Sequence, residues 1–502
     1  MCPAQRPGAR ARLVAALAAT VAMSTLLGGC ATRSAPPPPA SRPALPAAYA
    51  PPLDATATAA AAKQWWAQLR DPQLDALIER ALSSNRDLKT AAFRIAEARA
   101  LAAAADARAQ PQISFGGYVG RDRQSDTGRF GSLSSNPVTE RQLGFDASWE
   151  IDAFGAIGRR REAARADVQA AAAQRGAIAV SVAAEVAATY IELRTAQALH
   201  ATLNDLMEAA SGIEQLVAGR ERAGLATALD RLRAAEQVSL TAAALPLAQQ
   251  RAQTAARRLG VLVGGHTQTL LASLSEREPL PVALPGLPSA VPAALLDRRP
   301  DIVAAEAHWS AARARLAAAE ADRLPRVTLG SALGLLSISQ GRLFDAASAA
   351  WSIAAALRLP IYVPQLDAAV DAERARAEQA ALAYESAAVQ AMLEVEQAVV
   401  RLHRAEERLA KLDAALAADV QALDLARIRY ERGLTDFIAV LDGVRSRSQV
   451  EQQWVEARAQ VFVEFIALNK ALGGGWELGP VPPVAAAVTT TLSPTARVAP
   501  SL

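Results

Sequence analysis

The chain has almost no cysteine, little histidine and few aromatics. Two cysteines in 502 residues exclude a disulfide framework, all the more because Cys2 lies in a segment with the features of a cleaved signal. The four histidines, His200, His266, His308 and His403, are scattered with no metal-ligand spacing. There is no phosphate-binding glycine loop, no Gly-x-Ser-x-Gly elbow and no His-Glu-x-x-His pair. The expectation is a protein that is not an enzyme and carries no metal and no cofactor. Aromatics make up 4% of the chain although hydrophobic residues make up 51%. Alanine fills the gap, and alanine favours helix without filling volume. That composition suits long, closely packed helices and an elongated chain better than a bulky core.

A charge of one sign is missing as well. The formal net charge is +3, and Arg6, Arg10 and Arg12 precede residue 30 with no acid beside them, so the remainder is about neutral. Nucleic acid is not indicated as a partner. After these arginines comes the apolar run LVAALAATVAMSTLL, too short to be a comfortable membrane span and of the kind found in secretory signals. It ends in Leu27-Gly28-Gly29-Cys30, which resembles the lipobox of bacterial lipoproteins. Cys30 would then be the lipidated first residue of the mature chain, carrying palmitate among its acyl groups. Ala31 is not the aspartate associated with retention in the inner membrane, so the outer membrane is favoured. The organisation expected is a signal peptide at 1–29 and a lipidated Cys30 with a Pro/Ala-rich tether over 30–62. Two repeats at 63–265 and 299–476 follow, joined by a linker at 266–298, with a flexible tail at 477–502.

The two repeats are visible without a gap. NRDLKTAAFRIAEARALAAAADARAQPQISFG, from Asn85, matches RPDIVAAEAHWSAARARLAAAEADRLPRVTLG, from Arg299. Asp87 falls on Asp301, Pro111 on Pro325 and Gly116 on Gly330, and further on Gly224-Leu225 falls on Gly433-Leu434. Each half is expected to run helix, strand, loop, strand, long helix, tight break, long helix.

The strands are expected at about 112–121 and 141–151, then at 326–337 and 350–361. In LGFDASWEIDAFG, Leu143, Phe145, Ala147, Trp149 and Ile151 alternate with Gly144, Asp146, Ser148, Glu150 and Asp152, which is strand spacing. Ten-residue strands with one apolar face suit either a membrane barrel or a soluble sandwich, and the pattern alone leaves both open. Four strands cannot close a barrel by themselves, since membrane barrels start at about eight.

The helices are long. No proline or glycine interrupts about 365–430, where Val395, Leu402, Leu409, Leu416, Leu423 and Tyr430 recur every seven residues. A companion row of Ala391, Ala398, Ala405, Leu412 and Ala426 is broken by Asp419. This is coiled-coil spacing, and a continuous helix of that length would be roughly 100 Å long. Pro246 should kink the fourth long helix.

In their order along the chain, WWAQLRDPQLDALIERALSSNRDL, WEIDAFG, LLDRRPDIVAAEA, the junctions at Pro111 and Pro325, and RGLTDFIAVLDG resemble the TolC-like outer membrane efflux proteins. Among these the NodT-type lipoprotein subunits of drug pumps are most similar. The resemblance covers about residues 65–476 and implies a mainly helical protein with a membrane β-barrel part. It implies a homotrimer whose twelve strands close one barrel, continued by a twelve-helix periplasmic α-barrel. It also implies a periplasmic adaptor (membrane fusion) protein, an inner-membrane RND-type pump and outer membrane lipids as partners. The helix turns at Gly224-Leu225 and Gly433-Leu434 would contact the adaptor, or be plain hairpin connections. Asp442, with Asp436 nearby, would form the periplasmic gate, unless Asp442 simply pairs with Arg432 or Arg445. Ala439 stands where some members carry a second acid, and LPIYVPQLDA lacks the usual glycine pair.

The function expected is an outer membrane exit duct that passively conducts drugs or other small solutes from pump and adaptor to the outside, with a role in drug resistance. The alternatives are the exit duct of a type I protein secretion system, or a periplasmic coiled-coil lipoprotein scaffold without a pore.

Overall fold

The computed structural model of the chain describes residues 64–123, 137–265, 268–275, 296, 298–339 and 341–476. Cys30, the signal, the tether, the C-terminal tail and most of the linker lie outside the described residues. Each half begins with helices. A 3-10 turn, Trp65–Leu69, precedes α1 (Pro72–Ser84) and α2 (Arg86–Ala107), then β1 (Gln112–Asp122), β2 (Val138–Ile151), α3 (Ala156–Arg222) and α4 (Ala228–Leu262). A short α5 (Gln268–Ser275) is followed by α6 (Pro300–Ala321), β3 (Arg326–Ser337), β4 (Ala349–Arg358), α7 (Pro364–Glu431) and α8 (Phe437–Ala471). The duplication holds in the helices that flank the strands. α2 and α6 have 22 residues each, α4 and α8 have 35 each, and α3 and α7 have 67 and 68.

The described chain divides into two compact units. The first comprises Glu97–Gln169 and Glu306–Ala383. Its four strands form one antiparallel sheet in the order β1-β2-β3-β4. In both halves a helix gives way to a strand just after a proline, Pro111 or Pro325, which cannot donate to the preceding helical turn. The two strand-to-helix turns differ. In the first half Gly155 takes φ +83°, and the Asp152 carboxylate accepts from Ile157 N at 3.0 Å and Gly158 N at 2.6 Å, which caps α3. In the second half the glycine pair is absent and α7 starts on Pro364, whose fixed φ suits a first helical turn. The fourth strand is shorter than its alternation predicts. It ends at Arg358 rather than near Ile361, because Pro360 has no N–H for the ladder. Arg161 and Arg165 of α3 both hold Asp106 of α2, at 2.5 and 3.2 Å. The bond from Arg161 is the main reason the Asp106 carboxyl lies below its usual range.

The second unit comprises residues 64–96, the described part of Ala170–Ala305, and 384–476. Trp65 packs edge-on against Trp66 and Phe465, with ring centroids 5.7 and 6.2 Å away. The Asp71 carboxylate caps α1 by accepting from Gln73 N and Leu74 N at 3.0 Å, and it accepts from the Tyr190 hydroxyl at 2.6 Å. Arg194, fully buried, donates to Gln197 at 2.7 Å and to the side chain of Gln73. Arg299 is a second buried cation: it forks onto Asp301 at 2.6 and 3.0 Å, and reaches Glu394 at 2.8 Å and the Ala471 carbonyl at 3.0 Å. Burial alone would lower its pKa, but the two carboxylates more than offset that and raise it.

The heptad row of α7 is buried at both ends, at Val395 and Leu402 and again at Leu423 and Tyr430, and half-buried between. Asp419, which breaks the companion row, accepts from Ser446 Oγ of α8 at 2.6 Å. α4 runs on through Pro246 as one helix.

Candidate functional site

The sheet of the first unit separates its side chains by chemistry. The register pairs Phe115 with Phe145, Phe145 with Leu333, and Leu333 with Trp351. Partners across a ladder project to the same face and successive residues to opposite faces. One face therefore carries Ile113, Phe115, Leu143, Phe145, Leu329, Leu333, Trp351 and Ile353, most of them exposed in this chain. The other face carries Ser114, Asp146, Ser148, Glu150, Thr328 and Ser352. Arg121 and Arg141 end the apolar band on the side of the β1–β2 loop, and Trp149 lies at the helix side, where its indole N–H donates to the Ala109 carbonyl at 3.0 Å. A tryptophan with an apolar ring and one satisfied N–H at the rim of such a band suits a membrane–water interface.

Among the described residues the sheet also has two free edges, β1 and β4. Unpaired backbone groups cannot face hydrocarbon, where no water satisfies them. A single copy therefore cannot serve as a membrane wall, and the edges require further strands.

The helix turns expected to contact a partner lie in the second unit. Gly224 and Gly433 take φ +76° and +72°, the left-handed backbone that ends a helix. In both turns the following leucine, Leu225 or Leu434, is exposed, and its N–H returns to a helix carbonyl at 2.8 Å, Arg220 O or Arg429 O. α4 then starts with a capping box, Thr227 with Asp230. Asp436 occupies the same place before α8 but makes no side-chain cap.

The two turns are fastened by residues the repeat pattern does not single out. The Arg220 guanidinium lies 4.6 Å from the centroid of the Tyr430 ring and donates to the Glu431 carbonyl at 3.1 Å. Tyr430 packs on Phe437 with ring centroids 5.7 Å apart, within a cluster that includes Val217, Val440 and Val444. The Tyr430 hydroxyl is buried and has no hydrogen-bond partner among the described residues. Burial raises its pKa, against the opposing pull of Arg220. The sequence signal for this fastening was the heptad end at Tyr430, which reads only as core.

Asp442 is exposed on α8, one turn from Ile438 and on the face opposite Phe437, Leu441 and Val444. Arg445 turns to α4, where it donates to Gln237 at 3.2 Å and approaches Glu236 at 3.7 Å. Among the described residues Asp442 has no ion pair, so neither Arg432 nor Arg445 neutralises it here. Asp436 is exposed at the start of the same helix. Among the described residues no group of three or more His, Cys, Asp or Glu is placed to hold a metal.

The family model for outer membrane efflux proteins matches residues 77–265 and 291–474. The pyoverdine export outer membrane protein OpmQ of Pseudomonas putida is 32% identical over 470 residues, covering 91% of this chain and 96% of that protein. The outer membrane protein OprJ of Pseudomonas aeruginosa is 30% identical, covering 90% of this chain and 94% of that one. Among solved structures, the outer-membrane channel OprN superposes with a TM-score of 0.81 at 31% identity, covering 87% of this chain and 99% of that chain.

Proposed function

The chain belongs to the outer membrane efflux protein family, it is an outer membrane efflux channel of TolC-like fold that extends into the periplasm, and we propose that it works as the passive exit duct for small solutes. Family membership carries with it trimeric assembly and service to a tripartite pump. In the finer reading proposed here, three copies pair β4 of one with β1 of the next, which closes both free edges and gives twelve strands. That number clears the minimum for a membrane barrel. The face with Phe115, Phe145, Leu333 and Trp351 meets lipid, and the face with Asp146, Ser148 and Glu150 lines water. Cys30 carries the lipid anchor.

The observation that carries the duct reading over a scaffold is the sheet. A coiled-coil scaffold has no use for four register-matched strands with an exposed apolar face and unpaired edges. Small solutes are favoured over secreted proteins because the relative OpmQ is named for pyoverdine export. An inner-membrane RND-type pump supplies the energy, and a periplasmic adaptor meets the turns at Gly224-Leu225 and Gly433-Leu434. The exposed, unpaired Asp442, with Asp436 beside it, is repeated by threefold symmetry into an acidic ring that narrows the passage and favours cations.

The test is reconstitution in planar bilayers. The trimer is expected to conduct, with a cation preference that falls when Asp442 is replaced by Ala. A purified protein that stays monomeric, and gives no conductance either as it is or as Asp442→Ala, would sink the duct.

A further inference from the structure

The apolar face of the sheet ends in charge on one half only. Arg121 of β1 and Arg141 of β2 share that face with Phe115, Val119, Leu143 and Phe145, because the register sets Val119 opposite Arg141 and Arg121 opposite Thr139. Arg141 stands two places past the partner of Arg121. In that diagonal relation the side chains of adjacent strands lie roughly 7–8 Å apart. Arg121 is exposed and Arg141 half-buried, and among the described residues neither has an ion pair or a side-chain hydrogen bond. The carboxylates nearest in sequence, Asp122 and Glu140, alternate to the opposite face.

The two arginines stand at a definite level. Trp149 on the helix side of the face is eight residues from Arg141, and Ile113 is eight from Arg121. At about 3.4 Å per residue this is roughly 27 Å along the strand, or about 20 Å of height at a tilt of roughly 40°. Arginine stems run several ångströms further along apolar surface and put the guanidinium in the polar layer. The apolar band of a membrane barrel is about 25 Å tall, so with Trp149 at one border these guanidinia reach the other. The strand plan does not require a cation there. Counted on from Gly116 and Gly330, Arg121 matches Leu335, and the second half carries Leu335, Ser337 and Ala349 on this face at the same level.

We propose that Arg121 and Arg141 form a binding site for the phosphate of an anionic lipid headgroup in the outer leaflet, one site in each copy. The inference rests on the reading of the sheet as a membrane wall and adds the chemistry of the lipid beside it. The leaflet follows from the chain: this end of the strands carries the β1–β2 loop, whereas the other end runs into the helices of the periplasmic part. Like charges side by side on one face repel, and a phosphate between them turns that cost into attraction. Contacts of about 2.8 Å from each guanidinium to one phosphate span roughly the diagonal distance. Arginine offers paired donors to phosphate oxygens, where lysine offers a point charge. Below the pair, Val119 is 71% and Phe145 55% exposed, which suits the acyl chains of the same molecule. Charge above and open apolar surface below match a lipid rather than free phosphate.

The experiment uses the full-length protein purified as a trimer in detergent. Bisphosphorylated lipid A and zwitterionic phosphatidylethanolamine are supplied in equal amounts, and native mass spectrometry counts what the trimer keeps. The parent is expected to prefer lipid A by about tenfold or more, since each charged contact is worth about that factor. Arg121→Gln and Arg141→Gln should each lower the preference several-fold, and the double variant should abolish it. Arg342→Gln removes another exposed arginine, paired with Asp345 at 2.8 Å in the β3–β4 loop, and should leave the preference unchanged. An Arg342→Gln effect as large as that of Arg121→Gln reduces the site to net charge and overturns it. An excess of inorganic phosphate should not strip the lipid; complete displacement overturns the lipid assignment. Bilayer conductance is measured on the same preparations. A protein that neither trimerises nor conducts refutes the reading of the sheet as a barrel wall, whereas a conducting double variant that keeps the parent's lipid preference overturns the headgroup site alone.

Discussion

The fastening between the two helix turns yields a prediction in which three substitutions at two positions differ in sign. Arg220 makes two contacts, a guanidinium over the Tyr430 ring at 4.6 Å and a bond to the Glu431 carbonyl at 3.1 Å. A cation over a partly desolvated ring contributes about 1 kcal/mol. A charged donor on a carbonyl contributes roughly 1.5 kcal/mol, at the low end because the bond is exposed. Arg220→Ala should therefore cost about 2–3 kcal/mol. Tyr430→Leu keeps burial but loses the ring under Arg220 and its packing on Phe437, and should cost about 1.5–3 kcal/mol. Tyr430→Phe keeps the ring and deletes a buried hydroxyl that has no partner, so it should be neutral or stabilise by up to about 1 kcal/mol.

Denaturation midpoints of the three single variants measure these costs, and the double variant Arg220→Ala with Tyr430→Leu measures the coupling, expected at about 1 kcal/mol. The functional assay is conductance in bilayers. A loss of about 2 kcal/mol from the contact between the turns shifts any equilibrium in which they part by roughly thirtyfold. Arg220→Ala should then raise the time spent conducting, and Tyr430→Phe should not. A Tyr430→Phe protein as damaged as Tyr430→Leu would falsify the assignment of the ring, rather than the hydroxyl, as the group that matters.

Three further outcomes are expected. Gly334 and Gly116 lie in one row across the sheet, but a Cβ on Gly334 would sit 2.4 Å from the Leu143 carbonyl oxygen, while one on Gly116 would meet nothing within 4 Å. Gly334→Ala should cost about 2–3 kcal/mol because only backbone can move aside, and Gly116→Ala, whose Cβ meets nothing within its own chain, should cost less, as read from heat stability of the trimer. Arg299→Lys should cost about 2–3 kcal/mol, since an ammonium cannot serve Asp301, Glu394 and the Ala471 carbonyl together; a variant within about 0.5 kcal/mol of the parent contradicts this. The Tyr190 phenol, buried and bonded to the Asp71 carboxylate, holds its proton above the usual tyrosine range. The folded state thus binds this proton more tightly than the unfolded one, and its contribution is complete below about pH 10 and falls away as pH rises beyond it. Tyr190→Phe should unfold with a weaker pH dependence above that point.

The duplication and the strand faces were legible because both are periodic. Asn85 against Arg299 needs no gap, and Leu143 to Ile151 alternate strictly, so the partners Phe115, Leu333 and Trp351 fall on the predicted face once the register is known. Ile353, Ala355, Leu357, Leu359 and Ile361 keep their alternation past the point where Pro360 ends the ladder, so the pattern predicts a longer fourth strand than forms. Alternation reports which way side chains would point, whereas hydrogen bonding decides where a strand stops. RRPDI was recognisable as a motif without its reason, which is that Arg299 gathers two carboxylates and a helix-end carbonyl.

What stayed hidden is whatever depends on the identity of a neighbour. A heptad gives Tyr430 a buried side and says nothing of Arg220, 210 positions earlier. Arg445 looks like a partner for Asp442 at helical spacing, yet Glu236 and Gln237 of α4 hold it, and Asp442 is left without an ion pair among the described residues. Asp419 looks like a defect in a coiled coil until Ser446 is set against it. The same limit explains why two halves built on one plan bury such different surfaces. Ala166 and Ala375 have the same residue type and the same place in the repeat, and only the helix lying across them differs. Burial in a duplicated chain is thus a record of which neighbours are present, and the positions at which one half is exposed mark where a neighbour is still to come.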